Sequence, residues 1–203
     1  MANSGINIDF SDFTRAALDM GISIKKLEEG IDTALNTAAL EIEATAKRLA
    51  PKDMGAISQG ISANTNGRFQ KEITVNTPYA AYAEFGTGKY AAAYASTLPA
   101  DWKTYAAQFK GKTGGGNFDQ FLERIYQWAK RKQIGVTYDI KTRRKTKVGK
   151  QSAETTMRAT AYFIAIRILQ NGIRPHPFLF PAAQQQRPKL QADIEATIQA
   201  LKI

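Results

Sequence analysis

From Ile24 onward, apolar residues return every three or four positions: Leu27, Ile31, Leu35, Ala38, Ile42, Ala46 and Leu49. The spacing predicts a long amphipathic helix, with Ser23 as N-cap and Pro51 closing it. Gly30 inside it costs about 1 kcal/mol against alanine. A helix of this length has to lie across something broad, most simply a sheet. The next pattern is that of strands. Residues 57–63 and 69–75 are β-capable runs either side of Asn66-Gly67, which predicts a hairpin turning over 64–67. Ile73 and Val75 alternate with Glu72 and Thr74, giving one buried face and one wet face.

Helical periodicity returns further on. Residues 89–109 hold Tyr90, Tyr94, Trp102, Tyr105 and Phe109 among alanines, which predicts one or two short helices broken at Pro99. A glycine-rich linker follows over 111–117. Phe118, Phe121, Leu122, Ile125, Trp128 and Ala129 then form one stripe, with Asn117 placed to cap it. Met157, Ala161, Ile164, Ile168 and Leu169 line one side of a helix over 153–171, ended by Asn171-Gly172. A last helix over 183–201 buries Leu190, Ile194, Ile198 and Leu201. At the other end, Ile6, Ile8 and Phe10 alternate. They suit either a terminus docked on its own domain or an arm added to a neighbouring subunit. The fold class expected is α+β: an antiparallel sheet covered by the long N-terminal helix and the C-terminal helix, with a helical and basic insertion. The divisions expected are an arm (1–22), a core helix, hairpin and corner (23–89), an aromatic and basic insertion (90–152), and core helices with a proline-rich segment (153–203).

Two stretches break the periodic patterns. In the first, Pro78, Tyr79, Tyr82, Glu84 and Phe85 are followed by Gly86 and Gly88. Pro78 ends a strand. A two-turn helix over 79–85 would put the three aromatics on one side, and the glycines permit a sharp exit. Glu84 sits among these rings, where a carboxylate needs a partner, and Arg174 is a candidate for a structural ion pair. The second stretch, Arg174, Pro175, His176, Pro177, Phe178, Leu179, Phe180 and Pro181, has three residues that cannot donate backbone hydrogen bonds. It is therefore rigid and no central strand, with 178–180 as apolar plugs.

Charge and composition narrow what these elements can do. The chain has 203 residues and a formal net charge of +10, with Lys+Arg 28 against Asp+Glu 18. Much of the excess is concentrated in Lys130, Arg131, Lys132, Lys141, Arg143, Arg144, Lys145, Lys147 and Lys150, opposed only by Asp139. Such a block is either a solvated loop or a contact for phosphate or an acidic surface. Without cysteine there is neither a disulfide nor a thiolate metal site. The one histidine, His176, lies between two prolines with no nucleophile elbow and no further nitrogen ligand, so a packing role is expected. Gly111-Lys112-Thr113 resembles the end of a phosphate loop, but Ala106 stands where its first glycine belongs. Carboxylates are too sparse near the basic block for a metal-dependent nuclease. No catalytic residue, metal site or cofactor is expected, and neither a signal peptide nor a membrane span.

Taken in order, Pro51 with Gly55, then 78–88, then 174–182 resemble the HK97 gp10-like family of tailed-phage proteins, over about 25–90 and 155–200 of the chain. The resemblance implies a structural virion protein at the head–tail junction, in the neck or in tail completion or termination. It implies a ring, a hexamer by analogy with neck and tail rings, in contact with other neck or tail proteins and with DNA in the lumen. A nucleic-acid-binding module using 130–150 is the alternative.

Overall fold

Helix α1 (Ile24–Leu49) buries Leu27, Ile31, Ala34, Ala38, Ala39, Thr45 and Ala46. It runs the length expected from its apolar spacing. The computed structural model describes residues 24–52, 55–109, 117–134 and 150–201. The Ser23 cap, the N-terminal arm, most of the glycine linker, the alternation at 136–140 and the basic residues Lys141, Arg143, Arg144, Lys145 and Lys147 fall outside them.

After α1 come a five-residue helix α2 (Ala56–Gly60), strands β1 (Ile61–Gly67) and β2 (Gln70–Val75), and helix α3 (Ala80–Phe85). Next are α4 (Gly88–Thr97), α5 (Ala100–Ala107), α6 (Phe118–Arg131), α7 (Lys150–Asn171) and α8 (Leu179–Leu201). The fold is α+β, mostly helical, with one two-stranded antiparallel sheet among the described residues. A hairpin of two strands has too little surface of its own to persist alone. Here α1 supports it on one side, and α1 lies along α8 on the other.

The hairpin differs from the sequence expectation in two places. Ile57 lies in α2, not in a strand. The turn falls at Arg68-Phe69, with Gly67 opposite Gln70 and a bulge between Thr65 and Gly67, instead of over 64–67. Contacts with α1 explain the shift. Phe69 packs with Leu27 and Ile31, and its N–H donates to Asp32 Oδ1 at 3.2 Å. Arg68 pairs with Glu28 at 2.8 Å. These contacts hold Phe69 at a φ of 63°, which a non-glycine residue adopts only when its surroundings compel it. Further along α1, Glu43 Oε2 accepts the N–H of Ala63 at 2.7 Å, pinning β1 to the helix.

Asp32 also accepts from Lys71 Nζ at 2.9 Å, and that lysine's side chain is only 6% exposed. The hydrogen bond from Lys71, then that from Phe69, holds the Asp32 carboxyl below its ordinary value of 3.8. The folded chain therefore favours ionised Asp32. Its contribution to stability is fully present above the ordinary value and is lost as the pH falls through the lower folded value. Asp32→Asn is expected to lower the thermal midpoint at neutral pH and to flatten its decline below about pH 4. Melting curves across that range check this.

Where α1 meets α8, a Cβ on Gly30 would collide with Cγ2 of Thr197. Gly30 thus permits a close helix crossing, which its unfavourable helix propensity alone does not reveal. Gly30→Ala should not yield the usual gain of about 1 kcal/mol. In a Thr197→Ser background, which removes that methyl, the gain should return. Urea unfolding of the four proteins checks the cycle.

The main core joins Ala46 and Ala50 of the α1 end to Ile57, Ile61, Ala80, Phe178 and Ala182. Helix α8 starts at Leu179, four residues before the expected 183, and takes Pro181 into its first turn. Pro181 is tolerated there because a first-turn N–H has no intrahelical acceptor to lose. Pro188 also lies within α8, at an exposed position where water can serve the carbonyl it leaves unpaired.

Candidate functional site

The turn after α3 and the segment before α8 lie against each other. Thr87 N donates to Ile173 O at 2.9 Å, Ile173 N to Thr87 Oγ1 at 2.7 Å, and His176 N to Ala83 O at 2.7 Å. The glycines make this approach possible. Gly86 has a φ of 74°, and a Cβ there would lie 2.7 Å from Ile173 O. Gly172 has a φ of 87°, and a Cβ there would collide with Thr87 O. Neither the left-handed backbone nor the gap accommodates a side chain.

Glu84 stands at the centre and is 3% exposed. Its Oε2 accepts the N–H groups of Phe178 at 2.7 Å and Leu179 at 2.9 Å, and its Oε1 accepts that of Phe180 at 2.9 Å. A helix start leaves four backbone N–H groups without intrahelical acceptors. In α8 three of them go to Glu84 and the fourth position is Pro181, which has none. The carboxylate caps α8 from 94 residues away and also faces the positive end of the helix dipole. Burial pushes the Glu84 carboxyl above its ordinary range, opposed by the three N–H donors. Burial also pushes the Tyr94 hydroxyl up to about 12, with the Glu84 charge adding to it.

The expected ion pair between Glu84 and Arg174 does not form among the described residues, because backbone donors already occupy both carboxylate oxygens. The Arg174 guanidinium lies instead over the Tyr90 ring, 5.4 Å from its centroid. The three corner aromatics do not share one face either. Tyr79 precedes α3 and is 46% exposed, whereas Phe85 is buried. Phe85 joins a ring cluster that sequence reasoning did not assemble. Its neighbours are Trp102 at 6.4 Å, Tyr105 at 5.8 Å and Phe109 at 6.1 Å, and Trp102 meets Phe180 at 5.0 Å. The insertion is thereby packed onto the corner. Of the 178–180 plugs, Phe178 is 1% exposed and fills the core, while Leu179 and Phe180 are half-buried. Pro78 lies in the turn before α3, and Pro51 stands two residues beyond the end of α1, after Ala50. Gly55, at a φ of 71°, precedes α2. His176 has an exposed side chain and takes part through its backbone.

This geometry joins the two unusual stretches of the sequence into one corner. Residues 22–86 match the family model of the HK97-gp10-like proteins. That family is described as "Bacteriophage HK97-gp10, putative tail-component". The match spans α1, the hairpin and α3, and ends at Gly86, the hinge of the corner. It supports a tail-related structural protein of a bacteriophage, a class that works by association with other phage proteins. The 155–200 part of the expected resemblance lies outside it. No curated protein and no solved structure matches the chain.

Helices α6 and α7 form a second unit. Asn117 caps α6, its side chain accepting from Gln120 N at 2.9 Å. Ala129, Ala161 and Ala165 are fully buried where the two helices meet. Tyr126, rather than the half-buried Trp128, is the buried aromatic; its hydroxyl donates to Glu154 and Arg158 covers its ring at 4.3 Å. Burial, with the Glu154 charge next, pushes the Tyr126 hydroxyl up. Lys130, Arg131 and Lys132 are exposed at the end of α6. Leu169, expected on the buried side of α7, is 62% exposed. Among the described residues, no group of three or more metal-ligating side chains is placed to hold an ion, and no helix is long and apolar enough to cross a membrane.

Proposed function

We propose that the chain is a structural subunit of the head–tail junction of a tailed phage, in the neck or in tail completion or termination, and that it assembles as a ring. The match over 22–86 carries this reading. The corner supports it. Its one deeply buried carboxylate has both oxygens committed to backbone donors, so it holds the fold together rather than turning over a substrate. A rigid corner lets ring contacts formed on one part of the subunit be transmitted to another. Surface composition agrees: Phe163 is 68% and Leu169 62% exposed on one helix, apolar area of the kind that assembly covers. The subunit belongs to the virion and is put together in the host cytoplasm, and a hexamer is the ring order that the resemblance favours.

Sedimentation of the purified protein, alone and with the adjoining tail proteins, tests the reading. A discrete ring-sized species supports it; a monomer under every condition opposes it. The charge excess favours a second reading, a nucleic-acid-binding module using 130–150. Replacing Arg143, Arg144, Lys145 and Lys147 with glutamine is expected to leave the melting temperature unchanged. If these residues touch DNA phosphates, removing each phosphate partner should reduce the slope of log K against log salt by about 0.9. Tight, steeply salt-dependent binding by a monomer would favour the module; weak binding together with ring formation favours the subunit.

A further inference from the structure

Helix α7 carries apolar residues all round: Met157, Ala161, Phe163, Ile164, Ile166, Ile168 and Leu169. Helices of this kind are covered in their working state. Between α7 and α4 lies an open groove of about 450 Å³. Tyr90, Phe163, Ile164 and Ile168 form its walls, Arg167 and Arg174 also line it, and among the described residues no acidic side chain does. Phe163, at 68%, is the most exposed of the large apolar side chains described. An apolar trough beside two guanidinium groups suits a segment that presents apolar side chains and carboxylates together.

The chain contains such a segment. Residues 1–23 hold Asp9, Asp12 and Asp19 against Arg15 alone, in a protein whose net charge is +10. Around those aspartates stand Ile6, Ile8, Phe10 and Phe13. The segment joins the fold at the start of α1, where Leu27 and Ile31 pack with Phe69 and Ile198 near the far end of α8. The groove lies beside the corner, where Gly172 and Arg174 line it a few residues before α8 begins at Leu179. The length of α8 between them is about 30 Å at the rise of a helix. An arm anchored at one end of a subunit, with its receptor at the other end, is a head-to-tail arrangement. Repeated with a rotation that divides a full turn, and without translation along the axis, it closes a ring.

We propose that the α4–α7 groove receives the N-terminal segment of a neighbouring copy, with Asp9 and Asp12 meeting Arg167 and Arg174 and the alternating apolar residues meeting Phe163, Ile164 and Ile168. This deepens the ring reading and rests on it.

The absence of native cysteine allows a direct test. Full-length Asn7→Cys protein is mixed with full-length Thr160→Cys protein under mild oxidation, and covalent dimers are counted. Dimers containing one chain of each kind are expected. Adding Arg167→Glu to the Thr160→Cys chain should slow cross-linking by about 10-fold, with an unchanged melting temperature. Pairing Asp9→Lys/Asp12→Lys with Arg167→Glu/Arg174→Glu should restore it. If Arg167→Glu unfolds the chain, Asp9→Lys/Asp12→Lys gives the same readout with α7 intact. Absence of mixed dimers would overturn the inference. So would rates insensitive to charge reversal, or an Asn7→Cys/Thr160→Cys chain that closes on itself at high dilution. Sedimentation of the same samples separates the two claims. Rings without cross-links remove only the arm, whereas monomers throughout remove the ring reading as well.

Discussion

Glu84→Ala is expected to lower the unfolding free energy by about 3–5 kcal/mol, because it leaves the start of α8 without acceptors at a buried position. The carboxylate takes three N–H groups at 2.7 to 2.9 Å, and the fold offers those groups no local replacement. Losing the carboxylate also removes a buried charge, which offsets part of the loss. Glu84→Gln should be milder, because one oxygen still accepts while the amide nitrogen faces a donor. The pH dependence has a definite sign. The folded chain holds the Glu84 proton more tightly than the unfolded chain, whose value is near the ordinary 4.5. The corresponding stability is present below that value and declines as the pH rises through the folded value. Glu84→Gln should remove that decline. Chemical denaturation of the three proteins across pH checks both the order and the slope.

Phe178→Ala is expected to cost a similar amount, about 3–5 kcal/mol, for a different reason. Phe178 is 1% exposed and is the largest fully buried side chain described. Its ring fills the space between the α1 end, Ile57, Ile61 and Ala80, so truncation leaves a cavity with no rigid neighbour able to close it. Single domains have about 5–15 kcal/mol in total, so either change takes a large share. The two should also be coupled, because the Phe178 N–H is one of the three that Glu84 accepts. The double variant should fall short of additivity by at least about 0.5 kcal/mol, whereas remote sites would add. Additive losses would mean that the capping bond and the ring act independently.

Elements set by a local pattern could be read from the chain alone. Helix α1 runs to Leu49 because its apolar residues recur at helical spacing and Pro51 stops it. Pro99 separates α4 from α5, Asn117 caps α6, and Gly172 ends α7 for reasons contained within a few residues. Elements decided by distant contacts are less legible. The Asn66-Gly67 signal is overridden because Phe69 and Arg68 find partners on α1. The start of α8 falls earlier than its own residues suggest because its cap comes from Glu84. A clue is nonetheless present. Residues 177–182, ahead of the helix expected from 183, contain no serine, threonine, aspartate or asparagine to cap it, and a helix start without a local acceptor implies a remote one. The two stretches that break periodicity do meet, but backbone groups make the junction rather than the side-chain pair expected. The aromatic cluster of Phe85, Trp102, Tyr105 and Phe109 could not be assembled from spacing, since it depends on how the insertion folds back onto the corner.

The most direct test of the central claim, that this chain serves as a rigid building unit at the junction of head and tail, is its location in an image of the purified particle. Repeated copies at the head–tail junction, with α1 and the Glu84 corner fitting the density, are the expected result. Particles that join heads to tails and infect normally while containing no copy of the chain would contradict it.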